Sequence, residues 1–176
     1  ARISNRKAEE IARADGRIAV IPVEGAISHR GWWGASTRQI TENLRAAAGD
    51  SSIKAIVLDI DSPGGSVSGI EELAREIRGL RDRKPIVAVA NATAASAASW
   101  LASQASDVVV TPTGQVGSIG VYMAHVDVSR AMEQAGLKVT FIHAGEHKVE
   151  GNPFEPLADE ARATAQGHVD AYYRMF

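Results

Sequence analysis

A chain of 176 residues with 45% hydrophobic and 23% charged residues has the composition of one globular domain rather than of a disordered segment. Its formal charge of −2 supplies no basic footprint for nucleic acid and no polybasic patch for an anionic membrane. The absence of cysteine excludes disulfides, thiolate metal sites and a cysteine nucleophile.

Residues 1–16 read as a polar, helix-prone lead-in, expected to be flexible. Arg17 to Glu24 is a strand ended by Gly25, with Pro22 best tolerated near an edge. A loop from His29 to Gly34 carries Trp32 and Trp33, and a helix follows from Ser36 with Ile40 and Leu44 one turn apart. Ile53 to Asp61 is the clearest buried strand and runs directly into Ser62-Pro63-Gly64-Gly65. A helix is predicted to begin near Ser66 or Ser68, with Leu73, Ile77 and Leu80 on one face. Pro85 to Ala90 is a short apolar strand leading into a small-residue helix, Ala94 to Ala105, and then the strand Val108 to Val110.

A glycine-rich turn, Gly114 to Gly120, precedes a predicted strand Val121 to Val126. A helix Ser129 to Gln134, closed by Gly136, leads to a predicted strand Lys138 to His143. A polar loop, Ala144 to Pro156, and an amphipathic helix from Ala158 to Phe176 complete the chain. Strands alternating with helices at this spacing predict an α/β fold of βαβ units with a mostly parallel sheet, in a single domain over residues 1–176. No run reaches the roughly 18 apolar residues of a membrane span, and no signal segment opens the chain. A first residue other than Met, and a last helix that stops abruptly, lead us to expect a trimmed piece of a longer protein whose signal or anchor could be missing.

In a parallel sheet, ligand groups gather in loops beyond the carboxyl ends of strands. Three such loops are chemically unusual: Ser62 to Gly65, Asn91 to Ala98 and His143 to Asn152. The paired glycines Gly64 and Gly65 suit a tight turn, or a backbone N–H left unobstructed beside a cleft. Such a donor aimed at an oxyanion can be worth roughly 3 kcal/mol. Ser96 suits a helix cap or a packing residue, or a nucleophile ringed by small residues with the Ala97 N–H beside it. It is not in a Gly-x-Ser-x-Gly setting, so the α/β-hydrolase elbow is not indicated. His143 and His147 are four apart, but Gly145 lies between them and no third ligand is evident, so no metal is expected. Lys148 is a surface lysine or a general base. As a base it must be neutral, which burial can achieve by lowering its pKa from ~10.4 to roughly 7–8.

Three ordered motifs change the weighing: Asp61-Ser62-Pro63-Gly64-Gly65-Ser66-Val67, Ala94-Ala95-Ser96-Ala97-Ala98-Ser99-Trp100, and Val116-Gly117-Ser118-Ile119-Gly120-Val121. Together they closely resemble the signal peptide peptidase A family of serine peptidases. The stretch Gly145 to Leu157 resembles its phage branch of capsid-assembly (prohead) proteases, and the likeness runs from about Arg17 to Phe176.

The resemblance implies a Clp/crotonase-like spiral and a Ser-Lys pair of Ser96 as nucleophile and Lys148 as base, with Ser118 orienting the lysine. It further implies an oxyanion hole from the N–H groups of Gly65 and Ala97, with Gly64 shaping the turn, and neither a cofactor nor a metal. Ser99 departs from the aromatic residue or glycine that family members often carry there. A homo-oligomeric ring acting on scaffold, portal or capsid proteins in the host cytoplasm or prohead interior is the expectation. The alternatives are a fragment of a membrane-associated peptidase that degrades signal peptides, and a non-enzymatic assembly module on the same scaffold.

Overall fold

The computed structural model describes residues 17–31 and 34–176; the predicted lead-in and the Trp32-Trp33 pair lie outside these. The described residues form two compact units, divided between Ile119 and Gly120.

The first unit is built on five parallel strands: β1 (Arg17–Glu24), β2 (Ile53–Ser62), β3 (Ile86–Ala95), β4 (Asp107–Val110) and β5 (Gln115–Gly117). The order is β1-β2-β3-β4, and β5 also pairs with β3. β4 pairs with β3 from Val87 to Ala90, and β5 takes up the same strand from Thr93 to Ala95. Parallel neighbours require crossovers. Here these contain α1 (Thr37–Gly49), α2 (Ile70–Arg81) and α3 (Ala97–Ser103).

Each helix follows from its residues. Ser36 caps α1 by accepting the Gln39 N–H at 3.2 Å, and Ile40 and Leu44 are buried as their spacing predicts. Lys84 closes the other end of α1, donating to the carbonyls of Ala47 (2.7 Å) and Asp50 (2.8 Å). Helix α2 carries Glu71 and Glu72 in its first turn and Arg78 and Arg81 in its last, matching the helix dipole, and buries Leu73, Ile77 and Leu80. It begins at Ile70, later than expected, because Gly69 at φ 82 ends the preceding turn and no hydroxyl caps the helix. A bidentate pair between Arg45 and Glu76, both bonds 2.9 Å, joins α1 to α2. The core comprises Ile56, Leu58 and Ile60 of β2, Ile86 and Ala88 of β3, and the inward faces of the helices. Burying each large side chain contributes about 1.5–3 kcal/mol.

β3 is longer than expected and reaches Ala95. Between the pairs Ile60↔Ala90 and Ser62↔Ala94 the register shifts, so β3 carries extra residues that lift its end. Asp61 Oδ1 accepts the Thr93 N–H at 3.2 Å across that irregularity. The expected helix at Ala94 therefore starts only at Ala97.

The second unit contains α4 (Ser129–Gln134), closed by Gly136 as expected, and α5 (Asp159–Met175). The segments 121–126 and 138–143, predicted as strands, form no ladder among the described residues. Their β-forming residues need a neighbouring strand, and Tyr122 and Ile142 stand exposed without one. No helix among the described residues is long and apolar enough to cross a membrane.

Candidate active site

Ser96 occupies the corner where β3 becomes α3, at φ 51 and ψ −125. That conformation is sparsely populated for a residue with a Cβ and costs about 1–3 kcal/mol, so it persists only where the surroundings enforce it. Among the described residues, Ser96 and Ser118 (φ 54) are the two non-glycines with positive φ. Both are residues to which the family resemblance assigns a role.

The corner is enforced from several directions. The Ser96 N–H donates to the Gly117 carbonyl of β5 at 2.7 Å, and the Ser96 carbonyl accepts the Trp100 N–H at 3.1 Å. Ala97, Ala98, Trp100 and Leu101 are buried behind it, while Ser96 itself is half-buried. The side chain makes no capping bond, which leaves the hydroxyl uncommitted to the helix. The result is a strand-corner-helix turn of the elbow kind without its glycine-flanked motif. Ala94, Ala95, Ala97 and Ala98 supply the small flanks instead.

Gly64 abuts this corner. A methyl group at Gly64 would lie 2.7 Å from Ser96 Cβ, 2.8 Å from the Ala95 carbonyl oxygen and 3.0 Å from Ala97 N, and its φ of +94 also favours glycine. Gly65 forms a parallel bridge with Ile27. The Ile27 N–H donates to the Gly64 carbonyl (2.8 Å) and the Ser66 N–H to the Ile27 carbonyl (2.9 Å). This engages the peptide groups on both sides and leaves the Gly65 N–H outside the bridge. A Cβ at Gly65 would lie 2.0 Å from the Ile27 carbonyl oxygen, so the approach itself demands glycine. The Ala97 N–H, first of α3, has no intrahelical acceptor either.

The first unit thus gathers Ser96, Ala97, Gly64, Gly65 and, one residue past Gly117, the exposed Ser118. Two further serines support the arrangement through contacts that sequence reasoning did not anticipate: it gave Ser62 no role and read Ser99 only as a departure from the family pattern that bears on the pocket. Ser62 is fully buried; its hydroxyl donates to the Gly25 carbonyl at 2.6 Å and accepts the Gly64 N–H at 3.2 Å. Ser99 donates to the Ala94 carbonyl and accepts the Gly117 N–H at 2.9 Å. A serine placed between a strand end and a paired glycine was the available signal for Ser62. Ser99 stood three residues past Ser96, on the first turn of the helix.

Lys148 belongs to the second unit and is exposed, not buried as the reading of it as a base expects, on a turn where its N–H donates to the Gly145 carbonyl at 3.3 Å. Beside it, His147 Nδ1 lies 2.6 Å from Glu150 Oε1. That hydrogen bond, then the Glu150 charge, holds the His147 pKa above its ordinary value, while partial desolvation opposes the shift. His143 Nδ1 engages the Gly145 carbonyl at 3.1 Å, so each histidine serves a separate local contact.

Residues 78–176 match Peptidase family S49. The chain is 42% identical over 179 residues to the head-tail preconnector protein GP5 of Enterobacteria phage P21, covering 97% of this chain and 35% of that protein. It is 42% identical over 167 residues to the capsid assembly protease C of Escherichia phage lambda, covering 90% of this chain and 38% of that one. The chain therefore spans little more than a third of the length of either relative. Among solved structures, a 1510-N membrane-bound stomatin-specific protease in complex with a substrate peptide superposes with a TM-score of 0.55 at 20% identity, over 64% of this chain and 49% of that chain. This likeness concerns the fold, an α/β Clp/crotonase-like arrangement with a mostly parallel sheet.

Proposed function

Since the chain belongs to peptidase family S49, matched over residues 78–176, we propose that it is a serine endopeptidase working through Ser96, Lys148 and an acyl-enzyme. The observation that carries the reading is the coincidence of backbone strain with the expected chemistry. Ser96 and Ser118 hold positive φ, and Gly64 packs against the first of them too closely to carry a side chain.

In the proposed cycle the Lys148 amine takes the Ser96 hydroxyl proton as Ser96 Oγ bonds to a peptide carbonyl carbon. The carbonyl oxygen becomes an oxyanion and receives the N–H groups of Gly65 and Ala97. As the intermediate collapses, the C–N bond breaks and the lysine ammonium returns its proton to the leaving amine. Water, deprotonated by the same amine, then attacks the ester carbonyl and frees Ser96. Ser118 orients Lys148 by accepting a hydrogen bond from it. We take residues 1–176 to act as one peptidase domain, assembled into a homo-oligomeric ring.

The phage relatives favour a capsid-assembly role, with scaffold, portal or capsid polypeptides as substrates in the prohead interior or host cytoplasm. The test is a pair of variants, Ser96→Ala and Lys148→Ala, assayed on casein and on a scaffold protein. Each is expected to lower kcat by about 10³-fold or more while circular dichroism stays native. Wild-type turnover in both variants would remove the mechanism.

A further inference from the structure

The Ser99 hydroxyl is used twice. It donates to the Ala94 carbonyl on β3 and accepts the Gly117 N–H of β5 at 2.9 Å. The carbonyl of that same Gly117 accepts the Ser96 N–H at 2.7 Å. One side chain on the first turn of α3 therefore links the strand before the corner to the strand beside it. Gly117 also leads directly into Ser118, so both strained serines depend on where Gly117 is held.

β5 is only three residues long and, among the described residues, pairs with β3 alone. So short a strand has few ladder bonds to fix its position, and an added hydrogen bond at Gly117 is a large share of its attachment. Ser96 contributes no capping bond to its own corner. Its positive φ must be maintained from outside, and Gly117 is the outside group that grips its N–H.

Resting on the reading of Ser96 as nucleophile, the geometry points to Ser99 as a positioning residue for the acylation step. Its hydroxyl locks Ala94 and Gly117 to each other, and that lock sets the orientation of the Ser96 hydroxyl and the adjacent Ala97 N–H. Ser99 touches no reacting atom. Its loss therefore acts on the approach to the transition state rather than on substrate capture.

An isosteric pair isolates the hydroxyl: Ser99→Thr keeps it, and Ser99→Val replaces it with a methyl group of the same shape. With a peptide substrate, kcat of Ser99→Thr is expected within about 3-fold of wild type and that of Ser99→Val about 30- to 100-fold lower, with KM within about 2-fold for both. A peptide aldehyde, which forms a tetrahedral adduct with a nucleophilic serine, should lose affinity for Ser99→Val by a comparable factor. Equal kcat in the Thr and Val variants at equal folded fraction overturns the proposal, as does a change confined to KM. If Ser99→Val and Ser99→Ala both fail to fold while Ser99→Thr folds, the hydroxyl serves stability and the positioning role is also overturned. Ser96→Ala, run alongside, separates the two levels. Activity surviving there removes the nucleophile reading itself, whereas an inactive Ser96→Ala with equal Thr and Val variants removes only the role of Ser99.

Discussion

The corner at Ser96 and the turn around Lys148 each carry one half of the proposed catalytic pair, and they are built in opposite ways. The corner is held by bonds between residues far apart in the chain: Ser96 and Ser99 both engage Gly117, and Gly64 packs beneath from another loop. The turn from Gly145 to Glu150 is held by neighbours. Lys148 bonds to Gly145, Glu150 to His147, and the His147 ring to the Glu150 carboxylate. An unfavourable backbone conformation can be stored only where packing and non-local bonds over-determine it. A short turn closed by its own residues stores little, and its geometry is correspondingly cheap to alter. The Ser96 corner is thus a property of the fold, and the Lys148 turn a property of a local segment.

Gly64→Ala strikes that difference hardest. The new methyl would meet Ser96 Cβ, the Ala95 carbonyl and the Ala97 nitrogen together, and no flexible side chain is present to yield. We expect kcat/KM to fall by about 100-fold or more, since a shift of the reacting groups by an ångström costs that much. The strained φ should lower stability by about 1–3 kcal/mol as well. The equivalent change in the lysine's turn, Gly145→Ala, meets only Lys148 Cβ at 3.7 Å and should cost less on both counts, although its φ of +102 is also unfavourable. Similar losses from the two substitutions would break the comparison.

The next prediction concerns the two units as wholes. Ile56 is fully buried at the centre of β2, whereas Ile142 is 99% exposed. Ile56→Ala should cost about 2–5 kcal/mol in urea unfolding, through lost burial and the cavity left behind. Ile142→Ala should stay within about 0.5 kcal/mol. A destabilisation by Ile142→Ala that matches Ile56→Ala would show that the apolar side chains of the second unit are covered in solution.

The same contrast explains what could be read from the sequence. β2, α1 and α2 were legible because their apolar spacing is answered within the first unit, where Ile40, Leu44, Leu73 and Ile77 all find the core. The extension of β3 to Ala95 was not, because Asn91 to Ala95 continue past a register shift that hydrophobic period cannot reveal. β5 was hidden inside a glycine-rich segment, since its pairing depends on β4 ending early enough to free the edge of β3. The segments 121–126 and 138–143 err in the other direction. Their residue types signal a demand for a ladder partner without saying where that partner is. Within the candidate site, motif order points to Ser96, Ser118 and the paired glycines, while the contacts of the Ser62 and Ser99 hydroxyls, although both serines lie in those motifs, could not be read. Their partners are backbone groups, and a carbonyl leaves no mark on a sequence.

The smallest expected effect lies in the lysine's turn and is read by pH. Because the hydrogen bond to Glu150 raises the His147 pKa above its ordinary 6.5, the contribution of this contact is complete below that value and is lost as pH climbs through the folded-state midpoint. The His147 ring resonances should therefore titrate above the ordinary midpoint, and Glu150→Gln should bring them down towards it. Glu160 adds a weaker charge contribution, so the return should be incomplete. Amide exchange across 145–150, corrected for its intrinsic pH dependence, should quicken as the ring loses its proton, while the thermal midpoint of the whole protein stays put. An unchanged His147 midpoint in Glu150→Gln would mean that this turn is not closed by its own side chains. A shift of the global thermal midpoint over the same pH range would mean that the turn is as deeply tied into the fold as the Ser96 corner.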